Sequence, residues 1–295
     1  MNLPFIKLVI TFLMIFPVAG MATVVRMQTA FGVIDIKLFD SAPLTVANFL
    51  SYVDSGAYNR SLIHRSVPGF IIQGGGYVWN DTLKGVTTIT ANPPVVNEFS
   101  SSCSNLRGTI AMAKLSGNPN SATSQWFFNL ADNSANLDNQ NGGFTVFGQV
   151  IAKGMSVIDA IAALPTTNAS GAFTQLPLAS PSTVGSLQEF NLATITSVSS
   201  NRSSTASDSD RLFAYLEAIY PEYLSPANTL ALGNAPTNSV SSTSGNYYYR
   251  YYSATQSYIA TSNGSVYYLG PASQNQIMSL GPLSDWTAKA FAEGY

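Results

Sequence analysis

The 295 residues predict a mainly β domain over 23–198, a sandwich or barrel, followed by a small α+β module over 211–295. Three observations carry that prediction. From Ser61 onward the apolar runs are short and separated by Gly, Asn and Pro: LIHRSV, FIIQGG, GTIAMA, SQWFFNL and FTVFGQVI. Such runs fit strands of an all-β fold, whereas βαβ units would interleave longer helical periods. Only two stretches before residue 199 have a helical period. Finally, SSNRSSTASDSD (199–210) holds no apolar residue larger than Ala and reads as a flexible linker.

Taken in order, TVVRMQTAFGVIDIKLF alternates apolar and polar residues on both sides of Phe31-Gly32, the pattern of a hairpin. Ser41-Ala42-Pro43 then supplies a cap candidate and a proline for a first helical turn. Val46, Phe49, Leu50 and Val53 follow at i, i+3, i+4 and i+7, giving a short amphipathic helix that ends near Gly56. A second helix is expected over Gly154 to Leu164, with Val157, Ile158, Ile161 and Leu164 on one side and Pro165 as its stop. The last strand of the domain is expected in EFNLATITSV, ending near Val198.

Residues 1–22, MNLPFIKLVITFLMIFPVAGMA, carry one positive charge at Lys7 and an apolar run from Leu8 to Phe16. That run is too short to span a bilayer and reads as a secretory signal peptide cleaved near Gly20 or Ala22; an uncleaved anchor is the alternative. A periplasmic or secreted bacterial protein is therefore expected. The charged content of 9% is low for a soluble protein and points the same way.

Composition also removes function classes. The net charge of -2 comes from scattered residues with no basic run to neutralise phosphates, so nucleic acid is not an expected partner. One cysteine, Cys103, and one histidine, His64, exclude an internal disulfide and a zinc site of the usual ligand type. A Ser-His-Asp triad would need His64, which sits in an apolar run, and no Gly-x-Ser-x-Gly elbow occurs. Gly74-Gly75-Gly76 follows a strand without opening a helix, so it is no dinucleotide signature. A carboxylate pair for glycoside hydrolysis is not singled out by anything in the chain.

The remaining motifs are IHRSVPGFIIQGGG (63–76), NPPVVNEF (92–99), RGTIAMA (107–113), SATSQWFFNLADN (121–133), Leu137-Asp138 and VFGQV (146–150). Together, in this order and spacing, they resemble the cyclophilin family of peptidyl-prolyl isomerases, in its compact bacterial exported branch. The resemblance covers 23–198. It implies an eight-stranded antiparallel barrel capped by two helices, no cofactor and no metal, and proline-containing polypeptides as partners. Arg65 is by resemblance the catalytic residue: a guanidinium keeps its charge and a planar fork of donors. Phe70, Met112, Phe127 and Leu137 would line the proline pocket, Gln73 would orient the substrate backbone, and Ala113 and Gln125 would flank the groove. Two positions depart from the commonest pattern. Asn136 stands where an aromatic is frequent and Phe144 where a histidine is, at the rim. Cyclosporin-type ligands are accordingly expected to bind weakly while isomerisation survives.

Past the linker the composition changes: twelve of the fifteen tyrosines lie beyond residue 210, in runs such as YYYRYY (247–252). An amphipathic helix through Leu212, Tyr215, Leu216 and Ile219, two or three strands, and a helix over Leu283 to Ala292 are expected. On its linker the module would act as a tether, localisation unit or substrate-gathering arm. Rows of tyrosine can form a carbohydrate or peptide platform or simply a β-surface. For the chain as a whole two functions stay open: an isomerase for exported proteins, or a non-catalytic module that binds proline segments and attaches to a surface through its C-terminal part.

Overall fold

The computed structural model describes residues 23–201, 207–224, 238–242 and 245–295. The expected signal segment, 1–22, lies outside them. The chain opens with the predicted hairpin, β1 (Val24–Thr29) and β2 (Gly32–Leu38), whose register pairs Thr29 with Gly32 around a two-residue turn at Ala30-Phe31. Helix α1 (Pro43–Asp54) follows with its proline at the first turn, where a missing N–H does no harm. Its cap is not the local serine: the carboxylate of Glu98 accepts from the backbone N–H of Leu44 at 3.1 Å and of Thr45 at 2.7 Å. A residue 54 positions away therefore satisfies the orphan donors of this helix.

Short strands β3 (Ser61–Leu62), β4 (Arg65–Val67), β5 (Ile71–Gly74), β6 (Tyr77–Asn80), β7 (Gly85–Thr88), β8 (Thr109–Met112) and β9 (Trp126–Asn129) come next. Then follow α2 (Ser134–Leu137), β10 (Val146–Ile151), α3 (Gly154–Ala162), the small ladder of β11 (Thr166–Thr167) with β12 (Leu176–Pro177), and β13 (Thr194–Ser200). The main sheet has the order β4-β5-β9-β8-β10-β2-β1-β13-β3-β6-β7, with antiparallel pairs throughout. Residues 63 and 64 join β3, near one end of that order, to β4 at the other. The Ile63 N–H bonds to Ala193 O and the His64 N–H to Gln73 O, so this stretch stitches the two edges and curls the sheet shut. With β3 and β4 counted as one bent strand, eight strands close a barrel and the β6–β7 hairpin extends from it.

Alternation decides what fills the barrel. Ile72, Phe128 and Ile110 are cross-strand partners and all lie in the main core, where Phe49 of α1 and Ile158 of α3 cover the interior. Fully buried apolar side chains of this size each contribute roughly 1.5–3 kcal/mol relative to exposure.

The C-terminal part builds its own layer: α4 (Asp208–Ile219), a five-stranded sheet of β14 (Asn238–Ser242), β15 (Gly245–Tyr252), β16 (Ser257–Ser262), β17 (Ser265–Leu269) and β18 (Met278–Pro282), and α5 (Leu283–Glu293). Both expected helices are present, and the sheet has more strands than the two or three expected. Of the expected linker, 199–200 belong to β13 and 207–210 to the cap and first turn of α4; 202–206 lie outside the described residues.

This layer is docked on the barrel, which corrects the expectation of a substrate-gathering arm set apart on a linker. Arg26 and Asp35, cross-strand partners on the outer face of β1–β2, are 2% and 1% exposed because α4 and Tyr295 cover them. Arg26 makes a bidentate pair with Asp35 at 2.8 Å and donates to Glu217 Oε2 at 2.6 Å and Ala214 O at 2.7 Å. Arg250 at 2.5 Å and the Tyr252 hydroxyl at 2.8 Å donate to Glu217 Oε1. Val24 of β1 joins the apolar cluster of Leu212, Phe213 and Leu216 beside this network. Burial works against the charge of Glu217, yet Arg250 and Arg26 hold its carboxyl below the usual range.

Candidate active site

The outer face of the barrel between β4 and β10 carries a row of cross-strand partners fixed by register: Arg65 opposite Gln73, Gln73 opposite Phe127, Phe127 opposite Ala111, and Ala111 opposite Val146. Neighbours of this kind have Cβ atoms about 4.5–5.5 Å apart, so an arginine, an amide and a phenyl ring meet at one place without any loop having to bring them together.

Over this row opens a cavity of about 350 Å³, lined by Arg65, Phe70, Ile71, Gln73, Ala113, Lys114, Phe127, Asn136, Leu137, Gln140 and Phe144. Phe127 and Phe144 meet edge to face, with ring centroids 5.7 Å apart, and form an apolar wall. Arg65 Nη1 donates to Gln73 Oε1 at a long 3.4 Å, and Gln73 Nε2 donates to Gln125 Oε1 at 2.8 Å. Gln73 is thereby oriented from both sides. Among the described residues no carboxylate pairs with Arg65, so most of its donor fork stays available at the pocket.

Two structural features hold the walls. In the QGGG run, a Cβ on Gly74 would lie 2.7 Å from the Trp126 ring, and Gly75 has φ 76° with Ser124 O 2.5 Å from where a Cβ would sit. The glycines let β5 and the turn after it pack onto Trp126. Beneath the pocket runs a buried amide network. Asn133 Nδ2 donates to Phe70 O at 2.9 Å and Asn129 Oδ1 at 2.8 Å, Asn129 donates to Asn105, and Asn105 Nδ2 donates to Phe144 O at 3.0 Å and Asp138 Oδ1 at 2.8 Å. The carbonyls of both rim phenylalanines are tied to one scaffold.

Of the residues expected at the site, Arg65, Phe70, Gln73, Ala113, Phe127, Leu137 and Phe144 line the cavity, and Gln125 touches it through Gln73. Met112 does not. It is 1% exposed within the barrel core, because Met112 and Ala113 are adjacent and β8 turns successive side chains to opposite faces. Ile71, Lys114 and Gln140 line the cavity without having been singled out from the sequence. Period-two counting back from Gln73 finds Ile71; nothing local marks the other two.

A family model described as cyclophilin-type peptidyl-prolyl cis-trans isomerase/CLD matches residues 24–180. A peptidyl-prolyl cis-trans isomerase of Acinetobacter baylyi is 46% identical over 147 residues, covering 49% of this chain and 74% of that protein. Peptidyl-prolyl cis-trans isomerase A of Dickeya dadantii is 46% identical over 153 residues, 51% of this chain and 76% of that protein. Among solved structures, a cyclophilin-type isomerase of Cryptosporidium parvum, crystallised in the presence of the dipeptide Ala-Pro, is 24% identical with a TM-score of 0.44, covering 59% of this chain and 96% of that one. With its curled antiparallel sheet, its motifs and a match over more than half its length, the chain belongs to the cyclophilin-type peptidyl-prolyl cis-trans isomerases, enzymes that bind proline-containing peptides and rotate their X-Pro bonds.

Proposed function

We propose that X-Pro rotation takes place in the Arg65 pocket, on proline-containing segments of exported proteins. The problem is a partial double bond with a rotation barrier of about 18–20 kcal/mol and no bond to break. At the twisted transition state the amide loses resonance, and its nitrogen becomes pyramidal and able to accept a hydrogen bond. A donor aimed at that nitrogen binds the twisted form more tightly than either planar form, which is what lowers the barrier. Arg65 is the proposed donor; Phe127, Leu137, Phe70 and Phe144 hold the proline ring in a dry hollow, and Gln73, braced by Gln125, orients the peptide backbone. Support comes from one observation above all: the register that sets Arg65, Gln73 and Phe127 side by side on the pocket face.

Export is supported by the signal-like segment 1–22, with removal proposed near Gly20 or Ala22 and a periplasmic or secreted location. The catalytic unit is proposed to end with β13 at Ser200, two residues past the expected 198, and the Tyr-rich module, expected over 211–295 and opening with α4 at Asp208, is proposed as a fixed support of the barrel, with neither nucleic acid nor metal as partner. The exposed Asn136 gives a cyclosporin-type macrocycle no aromatic contact there, so weak binding of such ligands follows. To test the site, a short X-Pro peptide is titrated into the full chain and amide shifts are followed: the largest changes are expected at Gln73, Ala113, Phe127 and Phe144. Shifts confined to another face would refute the assignment. An intact mass of the exported protein showing residues 1–22 retained would refute the cleavage.

A further inference from the structure

Lys114 stands at the end of the Thr109–Met112 strand, one residue past Ala113, and points into the corner where two loops meet. Its ammonium has three protons, and three oxygens receive them: Asn141 O at 2.9 Å, Gly143 O at 2.5 Å and Asn97 Oδ1 at 3.3 Å. The same Nζ lies 4.7 Å from the centroid of the Phe144 ring, within range of a cation–π attraction. The loop it grips is unusual. Asn141, Gly142 and Gly143 have φ of 50°, 74° and 74°, three left-handed residues in succession. Asn and Gly adopt this conformation with little strain, and because glycine is also free to leave it, the loop keeps one shape through the bonds made to it. Asn97 Nδ2 donates to Gly142 O at 2.7 Å and Asn141 Nδ2 to Leu115 O at 2.9 Å, but among the described residues only Lys114 reaches two carbonyls of the loop together with the ring it presents.

We propose that Lys114 is a positioning residue of the isomerase: by clamping 141–143 it sets Phe144 against Phe127 and so determines how tightly the proline ring is gripped. The proposal rests on the reading that the Arg65 pocket is the isomerase site. Lys114 would act on the affinity for substrate and not on the twisting step, because its contacts are with the wall that holds the ring.

The charged groups around Lys114 leave it without a counterion among the described residues. Arg65 faces it across the pocket, Glu98 is turned onto the N-terminus of α1, and Asp138 is bonded to Asn105. Burial pulls the ammonium down to about 8. Above that pH the amine has one donor fewer and no attraction for the Phe144 face, so the grip should slacken while the Arg65 guanidinium is unchanged.

The test is steady-state kinetics of the full chain on a short X-Pro peptide between pH 6.5 and 9.5, for wild type, Lys114→Met, Lys114→Arg and Arg65→Ala. Lys114→Met should raise KM about fivefold with kcat within about twofold, whereas Lys114→Arg, which keeps charge and donors, should stay within about twofold of wild-type KM. Wild-type KM should rise between pH 7 and 9 and that of Lys114→Arg should not. A folded Lys114→Met with wild-type KM overturns the proposal. If that variant does not fold, Lys114→Gln takes its place, and a folded Lys114→Gln with wild-type KM overturns the proposal equally. Arg65→Ala with wild-type turnover would instead overturn the site reading on which the proposal stands.

Discussion

His64 and Arg65 are neighbours in the chain, and the strand turns them to different surroundings. Arg65 reaches the pocket, while His64 is 2% exposed, with its ring 4.9 Å from that of Tyr77 and edge-on to it. Burial is the main cause that drops the His64 pKa to about 4, so the imidazole stays neutral in the fold at the pH of most environments. The unfolded chain protonates His64 near 6.5, the ordinary value, and therefore binds more protons than the fold between 6.5 and about 4. Stability is thus lost as pH falls through that window, by about 3 kcal/mol from this group once both states are charged. Unfolding midpoints measured from pH 7 to 4 should decline less steeply in His64→Gln than in wild type; parallel curves would contradict this.

At the scale of elements, the contact between α4 and the β1–β2 hairpin is where a single change should do most harm. Among the described residues Glu217, fully buried, is the one carboxylate that answers both Arg26 and Arg250. Removing its charge leaves Arg26 to Asp35 and Arg250 to Asp210 at 3.5 Å, and it weakens the charge-assisted hydrogen bonds that Glu217 accepts in a dry interface, a loss of about 1.5–3 kcal/mol. Glu217→Gln should therefore lower the unfolding midpoint in urea by the corresponding amount at pH 7. Its carboxyl is held below the usual range, so its stabilisation is present above the ordinary carboxylate pKa and disappears as pH falls through its lowered value in the fold. The variant should accordingly lose less stability on acidification than wild type. A midpoint equal to wild type at pH 7 would show that the charge of Glu217 adds nothing to the docking.

For the whole molecule, the parts legible in the sequence are those written in local periodicity or in a motif. Val46, Phe49, Leu50 and Val53 gave away α1, and the HRSVPGF and QGGG runs located Arg65 and Gln73 on paired strands. What was not legible depends on contacts between distant residues. The cap of α1 comes from Glu98, the ladder partner of Arg65 is known only once β4 and β5 pair, and Lys114 gains its role from oxygens at 97, 141 and 143. Met112 was misplaced because a motif names residues without saying which face of the strand each one takes. The linker's composition pointed to a loose arm, whereas the Arg26, Asp35, Glu217 and Arg250 network, invisible until β1, β2, α4 and β15 meet, fixes the module in place.

One rate measurement bears most directly on the claim that Arg65 supplies the hydrogen bond to the twisted imide. The full chain, with and without Arg65→Ala, is assayed for cis-to-trans conversion of a short X-Pro peptide by a protease-coupled method, alongside its unfolding midpoint. Loss of a single transition-state donor should lower kcat/KM about a hundredfold or more while the free energy of unfolding stays within about 1 kcal/mol of wild type. A folded Arg65→Ala chain that isomerises the peptide at the wild-type rate would contradict the account.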